Sequence, residues 1–174
     1  MNVPFRYDYV GSFLRPEVLK NARKEYEEGT LSAEQLKEVE DQCIIDLIRK
    51  QKECGYHVIT DGEFRRATWH LDFMWGFNGV GHRKTDTGLP FHGEAAMIDD
   101  TYLTGKVSVN HHPFVDHFKF IKQFEDENTI AKQTIPAPAQ FLEQMIMPFA
   151  LDNTRKYYQN THDLVLDIAK GYQK

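Results

Sequence analysis

Residues 32 to 66 constrain the fold more than any other part of the chain. Ser32 and Gln35 stand three apart ahead of an apolar stripe of Leu36, Val39, Cys43, Leu47 and Cys54, supported by Ile44 and Ile48. That is the pattern of a capping box opening an amphipathic helix. Gly55 falls where such a helix needs a left-handed residue to end it. The β-prone residues 56–60 follow at once, and the strand runs out into Asp61-Gly62-Glu63-Phe64-Arg65-Arg66, two carboxylates and two guanidinium groups around a glycine. Helix, glycine, strand and carboxylates in that order describe a repeating βα unit, and parallel α/β folds place ligands at the carboxyl ends of their strands. An ordinary acidic Asp-Gly turn without function has the same local sequence.

The remaining segments fit around this unit. Residues 6–12 read as a short strand ending in Gly11 and Ser12, and Pro16 suits the first turn of a helix carrying Val18, Leu19, Ala22 and Tyr26 to a stop at Gly29. Strands separated by helices rather than hairpins are expected to run parallel. From Ala67 to Phe77 the rings Trp69, Phe73, Trp75 and Phe77 belong to an amphipathic helix or to a loop over a pocket, with packing as the default role. Residues 78–112 lose helical period and are punctuated by glycines 79, 81, 88, 93 and 105, which predicts hairpins inserted between βα units. A helix from Pro113 to about Glu125, a third strand over 129–135 and a rigid Pro136-Ala137-Pro138 turn follow. Short helical pieces then lead to a final helix from Asp152, with Tyr158, Thr161, Val165, Ile168 and Tyr172 on one stripe. Three parallel strands leave a long sheet edge open, a condition that natural proteins cover.

Composition excludes several classes of function. A chain of 174 residues with 41% hydrophobic and 27% charged residues suits one globular domain. A net charge of −5 without a basic run argues against nucleic acid or an anionic membrane as partner. The absence of a leader-like or membrane-length apolar run predicts a cytoplasmic protein. Cys43 and Cys54 lie about three helical turns apart, too far to bridge, and are expected as buried small hydrophobes. The histidines His111, His112 and His117 lack metal-ligand spacing and fit a surface turn before Pro113.

Val10-Gly11-Ser12-Phe13-Leu14-Arg15-Pro16, Asp61-Gly62-Glu63-Phe64-Arg65-Arg66 and Thr134-Ile135-Pro136-Ala137-Pro138, taken in this order, resemble three successive strand-end motifs of the cobalamin-independent methionine synthase family. The likeness is closest to its short relatives built from the catalytic barrel alone, and it runs through all 174 residues. The resemblance implies an α/β fold, here a partial (β/α)8 TIM barrel of about three βα units with a β-rich insertion near 78–112. Residues 1–174 would then be the amino-terminal part of one barrel domain. It also implies transfer of the N5-methyl group of a methyltetrahydrofolate, usually polyglutamylated, to the thiol of homocysteine, which zinc holds as the thiolate nucleophile.

Carried over by position, Gly11 and Ser12 would contact the amino-acid end of homocysteine or methionine, Glu63 would accept hydrogen bonds from its ammonium group, and Asp61 would orient the same loop. No catalytic residue and no metal ligand can be assigned, because the family's zinc ligands, a His, Cys, Glu and Cys set, lie on later strands. Tyr9 stands where many relatives carry histidine. A completing half of the barrel or a second copy of the chain is the expected protein partner. The alternatives are a non-catalytic half-barrel binding module and another barrel enzyme of related architecture, such as a uroporphyrinogen-decarboxylase-like one.

Overall fold

The computed structural model describes residues 9–84, 88–91, 94–97 and 100–173, the segments 88–91 and 94–97 as backbone. The fold is mixed α/β and divides into two compact units, Met1–Arg66 with Val115–Thr134, and Ala67–Phe114 with Ile135–Lys174.

In the first unit, helix α1 (Glu17–Glu27) follows Pro16 and buries Leu19 and Ala22, whereas Val18 and Tyr26 of the anticipated stripe stay exposed. Helix α2 (Ala33–Glu53) opens on the predicted capping box, with Gln35 N–H donating to Ser32 Oγ at 3.3 Å and Ser32 N–H to Gln35 Oε1 at 2.9 Å. It ends as the sequence requires. Gly55 has φ 77°, Tyr56 N–H reaches Gln51 O and Gly55 N–H reaches Lys52 O, the paired bonds of a Schellman motif. Cys43 is buried as expected, but Cys54 is exposed, because the last turn of α2 has left the core.

Strand β1 (Val58–Ile59) pairs in parallel with β6 (Ile130–Ala131), and Ser12 forms a parallel bridge to Gly62. The anticipated parallel order is therefore present, in shorter strands than 56–60 and 129–135. On the edge of β1 away from β6, the Gln51 side chain takes both backbone groups of Thr60: its Nε2 donates to Thr60 O at 2.9 Å and its Oε1 accepts from Thr60 N–H at 3.0 Å. Most of the anticipated strand 6–12 lies outside the described residues. Helix α4 (Pro113–Lys122) contributes Ile121 and Phe118 to a core of Leu19, Ile44, Ile48, Ile59 and Phe64.

The second unit begins with a short helix, α3 (Leu71–Trp75), whose entry is held by Asp72 accepting from the N–H groups of Ala67 and Thr68 at 2.9 and 2.7 Å. The predicted hairpins are there: β2 (Asn78–Arg83) pairs antiparallel with β5 (Asp100–Ser108), and β3 (Gly88–Phe91) with β4 (Glu94–Met97). Helices α5 (Pro138–Ile146), α6 (Pro148–Thr154) and α7 (Thr161–Tyr172) complete the unit. The final helix starts at Thr161 instead of Asp152, since Asn160 accepts from Asp163 N–H and caps it there. That start turns Leu164 and Ile168 inward and leaves Val165 exposed, correcting the anticipated stripe.

The core of this unit is aromatic, with Phe73, Phe77, Phe114, Phe141 and Tyr158 packed around Leu103, Met145 and Leu164. His112 belongs to it, against the surface-turn expectation. Its Nε2–H donates to Phe73 O at 2.8 Å, its Nδ1 accepts from Phe114 N–H at 3.1 Å, and its ring packs on Phe73 at 4.4 Å. Both ring nitrogens are satisfied, which lets a histidine serve as a core residue. No helix of the described residues is long and apolar enough to cross a membrane.

Candidate functional site

The turn after β1 is built from side chains that hold backbone. Gly62 and Glu63 are both left-handed, with φ 67° and 59°, and Glu63 is the one non-glycine residue with positive φ among the described residues. Such a conformation costs about 1–3 kcal/mol and persists where its surroundings enforce it. Here Asp61 enforces it, its Oδ1 accepting from Glu63 N–H at 2.9 Å. A β-carbon on Gly62 would stand 2.4 Å from Leu47 Cδ2, so the turn also needs a glycine for space. Thr60 ties the neighbouring segment in, its hydroxyl donating to Gly11 O at 2.8 Å, while Phe13 N–H donates to Gly62 O at 3.0 Å.

Three arginines close the turn from outside. Arg15 Nη2 donates to the carbonyls of Glu63 and Arg66 at 2.9 and 2.7 Å, and Arg23 donates to the carbonyl of Phe64. Arg65 pairs with Glu40 and Asp41 of α2 and lies over the ring of Phe120. Burial pushes the carboxyl of Glu40 above its usual range, against the pull of Arg23 and Arg65. Burial acts in the same sense on the more open Asp41, but hydrogen bonds from Lys37 and Arg65 prevail and hold it low. His117 of α4 is half-buried, and its pKa falls from the usual 6.5 to about 4, first by burial and then by the Arg65 guanidinium, with Asp61 opposing.

Glu63 lies at the centre and is 6% exposed. Its Oε1 accepts from Arg66 Nη1 at 3.0 Å and from the Thr134 hydroxyl at 2.8 Å. Arg66 is 2% exposed and also donates from Nη2 to Thr134 O at 2.5 Å and to Thr134 Oγ1 at 3.1 Å. With the N–H held by Asp61 and the carbonyl by Arg15 and Arg66 N–H, Glu63 has one polar atom, Oε2, without a hydrogen-bond partner among the described residues. Asp61 Oδ2 accepts from Gln133 Nε2 at 3.3 Å.

Of the four residues singled out in the sequence, Asp61 and Glu63 are therefore joined in one buried network, and Gly11 and Ser12 stand beside it through the Ser12 to Gly62 bridge. Gly11 is buried with φ 114°, and the exposed Ser12 hydroxyl has no hydrogen-bond partner among the described residues. Asp61 holds the turn through its Oδ1, which accepts from Glu63 N–H. Tyr9 is half-buried, with its hydroxyl in hydrogen-bond reach of Val58 O and Gln51 Oε1 and its ring packed on Tyr56. Sequence reasoning missed the roles of Arg15, Gln51, Arg66 and Thr134. Arg66 had a signal, standing three residues after Glu63 in the same turn, whereas Gln51 gave none.

The zinc that the resemblance implies finds no fit here. Among the described residues no group of three or more His, Cys, Asp and Glu side chains is arranged to hold a metal ion, and the two cysteines lie on α2 and at its end.

Comparison with known proteins places the chain among relatives. No family model matches it. It is 37% identical to YxjG of Bacillus subtilis over 172 residues, which is 98% of this chain and 44% of YxjG. It is 27% identical over 166 residues to the methionine synthase of Sulfolobus acidocaldarius, covering 92% of this chain and 44% of that one. Among solved structures, a putative vitamin-B12 independent methionine synthase from Listeria monocytogenes superposes with a TM-score of 0.74 at 32% identity, covering 98% of this chain and 46% of that chain. A B12-independent methionine synthase from Shewanella, solved in complex with selenomethionine, shares the fold at 19% identity with a TM-score of 0.54, over 82% of this chain and 38% of that chain. The chain thus spans a little under half the length of the relatives it matches.

Proposed function

Because the chain resembles the cobalamin-independent methionine synthases in sequence and in fold, we propose that it forms the amino-acid-binding part of an S-methyltransferase of that type. The fold we infer is the first three βα units of a (β/α)8 barrel. Parallel segments at Ser12, β1 and β6, separated by helices and by the hairpins of 78–108, support it. The reaction is transfer of the N5-methyl group of methyltetrahydrofolate to homocysteine sulfur, giving methionine.

One observation carries the reading. Glu63 is held in a strained backbone conformation with every polar atom but Oε2 engaged within the chain. A buried carboxylate with one free oxygen is an acceptor for a cation donor, and an α-ammonium group supplies it with a charge-assisted bond. The open hydroxyl of Ser12, bridged to the residue before Glu63, is the matching donor for the α-carboxylate. Zinc, when bound in such enzymes, lowers the thiol pKa and supplies the thiolate. No residue of this chain is assigned to that task, nor any to binding the folate or its polyglutamate tail. These residues bind and orient the amino acid, and the completing part of the barrel supplies the rest.

Calorimetry tests the reading. Methionine and homocysteine should bind, and 4-(methylthio)butanoate, which lacks the amino group, should bind about tenfold or more weakly, the scale of a hydrogen bond to a charged group. Equal affinity for methionine and the amine-free acid would contradict it. A second reading is a module that binds the amino acid without turnover; among the described residues no group of His, Cys, Asp and Glu is arranged to hold a metal ion. Methionine binding without methyl transfer when zinc and methyltetrahydrofolate are supplied would mark that case.

A further inference from the structure

We infer that Thr134 and Arg66 are positioning residues that decide which oxygen of Glu63 meets the ligand, and so tune the site for a primary ammonium group. The inference rests on the proposed function. Thr134 closes the β6 run, and its hydroxyl does two things at once: it donates to Glu63 Oε1 at 2.8 Å and accepts from Arg66 Nη2 at 3.1 Å. Arg66 in turn spans the two loops, with Nη1 on Glu63 Oε1 at 3.0 Å and Nη2 on the Thr134 carbonyl.

Two donors from different directions on the same oxygen fix the carboxylate's rotation about its last bond. A carboxylate held by Arg66 alone could swing to meet that guanidinium through both oxygens, the bidentate arrangement that arginine favours. Thr134 prevents it by holding Oε1 in place and occupying Arg66 Nη2. Oε2 is then kept as a single acceptor, suited to one N–H of an ammonium rather than to a planar fork. The Thr134 side chain is half-buried, so its hydroxyl can be removed with little loss of core.

The test compares the unaltered chain with Thr134→Val, which keeps the shape and removes the hydroxyl, and Thr134→Ser, which keeps the hydroxyl. Affinities for methionine and for 4-(methylthio)butanoate are measured by calorimetry, beside urea unfolding of each variant. Thr134→Val should weaken methionine by about three- to tenfold, the worth of one hydrogen bond, with the amine-free acid unchanged and Thr134→Ser retaining the unaltered affinity. A stability effect alone would weaken both ligands together. Equal methionine affinity in all three proteins, with the amine-free acid still discriminated, overturns the positioning role and leaves the proposed function standing. Failure of the unaltered chain to prefer methionine over the amine-free acid removes both. Should Thr134→Val fail to unfold cooperatively, Arg66→Lys, which retains the charge but not the fork, is measured in its place. The same amine-selective loss is then expected, and an unchanged preference overturns the inference.

Discussion

The two units bury different kinds of side chain. The unit of 67–114 and 135–173 is closed by rings: Phe73, Phe77, Phe114, Phe141 and His112 meet edge-on or tilted in a core that also holds Tyr158, and the buried polar groups of Thr154 and His112 each satisfy a nearby backbone group. The unit of 9–66 and 115–134 has an aliphatic core, but around its strand ends it buries Glu40, Gln51, Asp61, Glu63 and Arg66. Rings add apolar area and fix a shape. Buried charges cost desolvation, which replacement by apolar residues would remove, so their presence marks work other than stability. The difference separates a part that packs from a part arranged around one carboxylate.

The largest effect should come from the packed unit. Phe141 is fully buried against Phe77, and Phe141→Ala should cost about 3–5 kcal/mol in urea unfolding. The cost should be the same at pH 5 and pH 8, because no charged partner is involved. A loss below about 1.5 kcal/mol would show the aromatic cluster to be looser than its contacts imply.

Gly62→Ala sharpens the other side. The added β-carbon meets Leu47 and Phe64 in a backbone region that alanine disfavours, so a cost of about 2 kcal/mol is expected, together with weaker methionine binding as the Glu63 turn shifts. Loss of stability with binding intact would separate the turn from the site.

The smallest effect is one of pH. His117 titrates near 4 in the folded chain and near the usual 6.5 when unfolded, so the fold favours its neutral form. That contribution is complete above pH 6.5 and is lost as pH falls towards 4. His117→Gln should therefore flatten the fall in the urea midpoint between pH 6.5 and 4.5. Parallel curves for the two proteins would refute the assignment.

Much of this architecture was legible because local chemistry and the fold agree. The capping box at Ser32, the Gly55 stop, the parallel order of β1 and β6 and the hairpins after Asn78 all follow from residues close together in sequence. What was not legible depends on distant pairs. Gln51 holds both backbone groups of Thr60, and Arg66 reaches Thr134 across 68 residues. His112 read as a surface turn because histidines before a proline carry no sign of the Phe73 carbonyl waiting for them. For the site, Asp61 and Glu63 were visible as a carboxylate pair at a strand end, but the free oxygen on Glu63 follows only from knowing what holds the other three polar atoms.

Glu63→Gln tests the central claim most directly. Glutamine keeps an oxygen for Arg66 and Thr134 and removes the charge that an ammonium group would meet. Methionine affinity, measured by calorimetry on a protein that still unfolds cooperatively in urea, should fall by about 1.5–3 kcal/mol, or more than tenfold. Unchanged affinity would mean that Glu63 is not where the amino group binds.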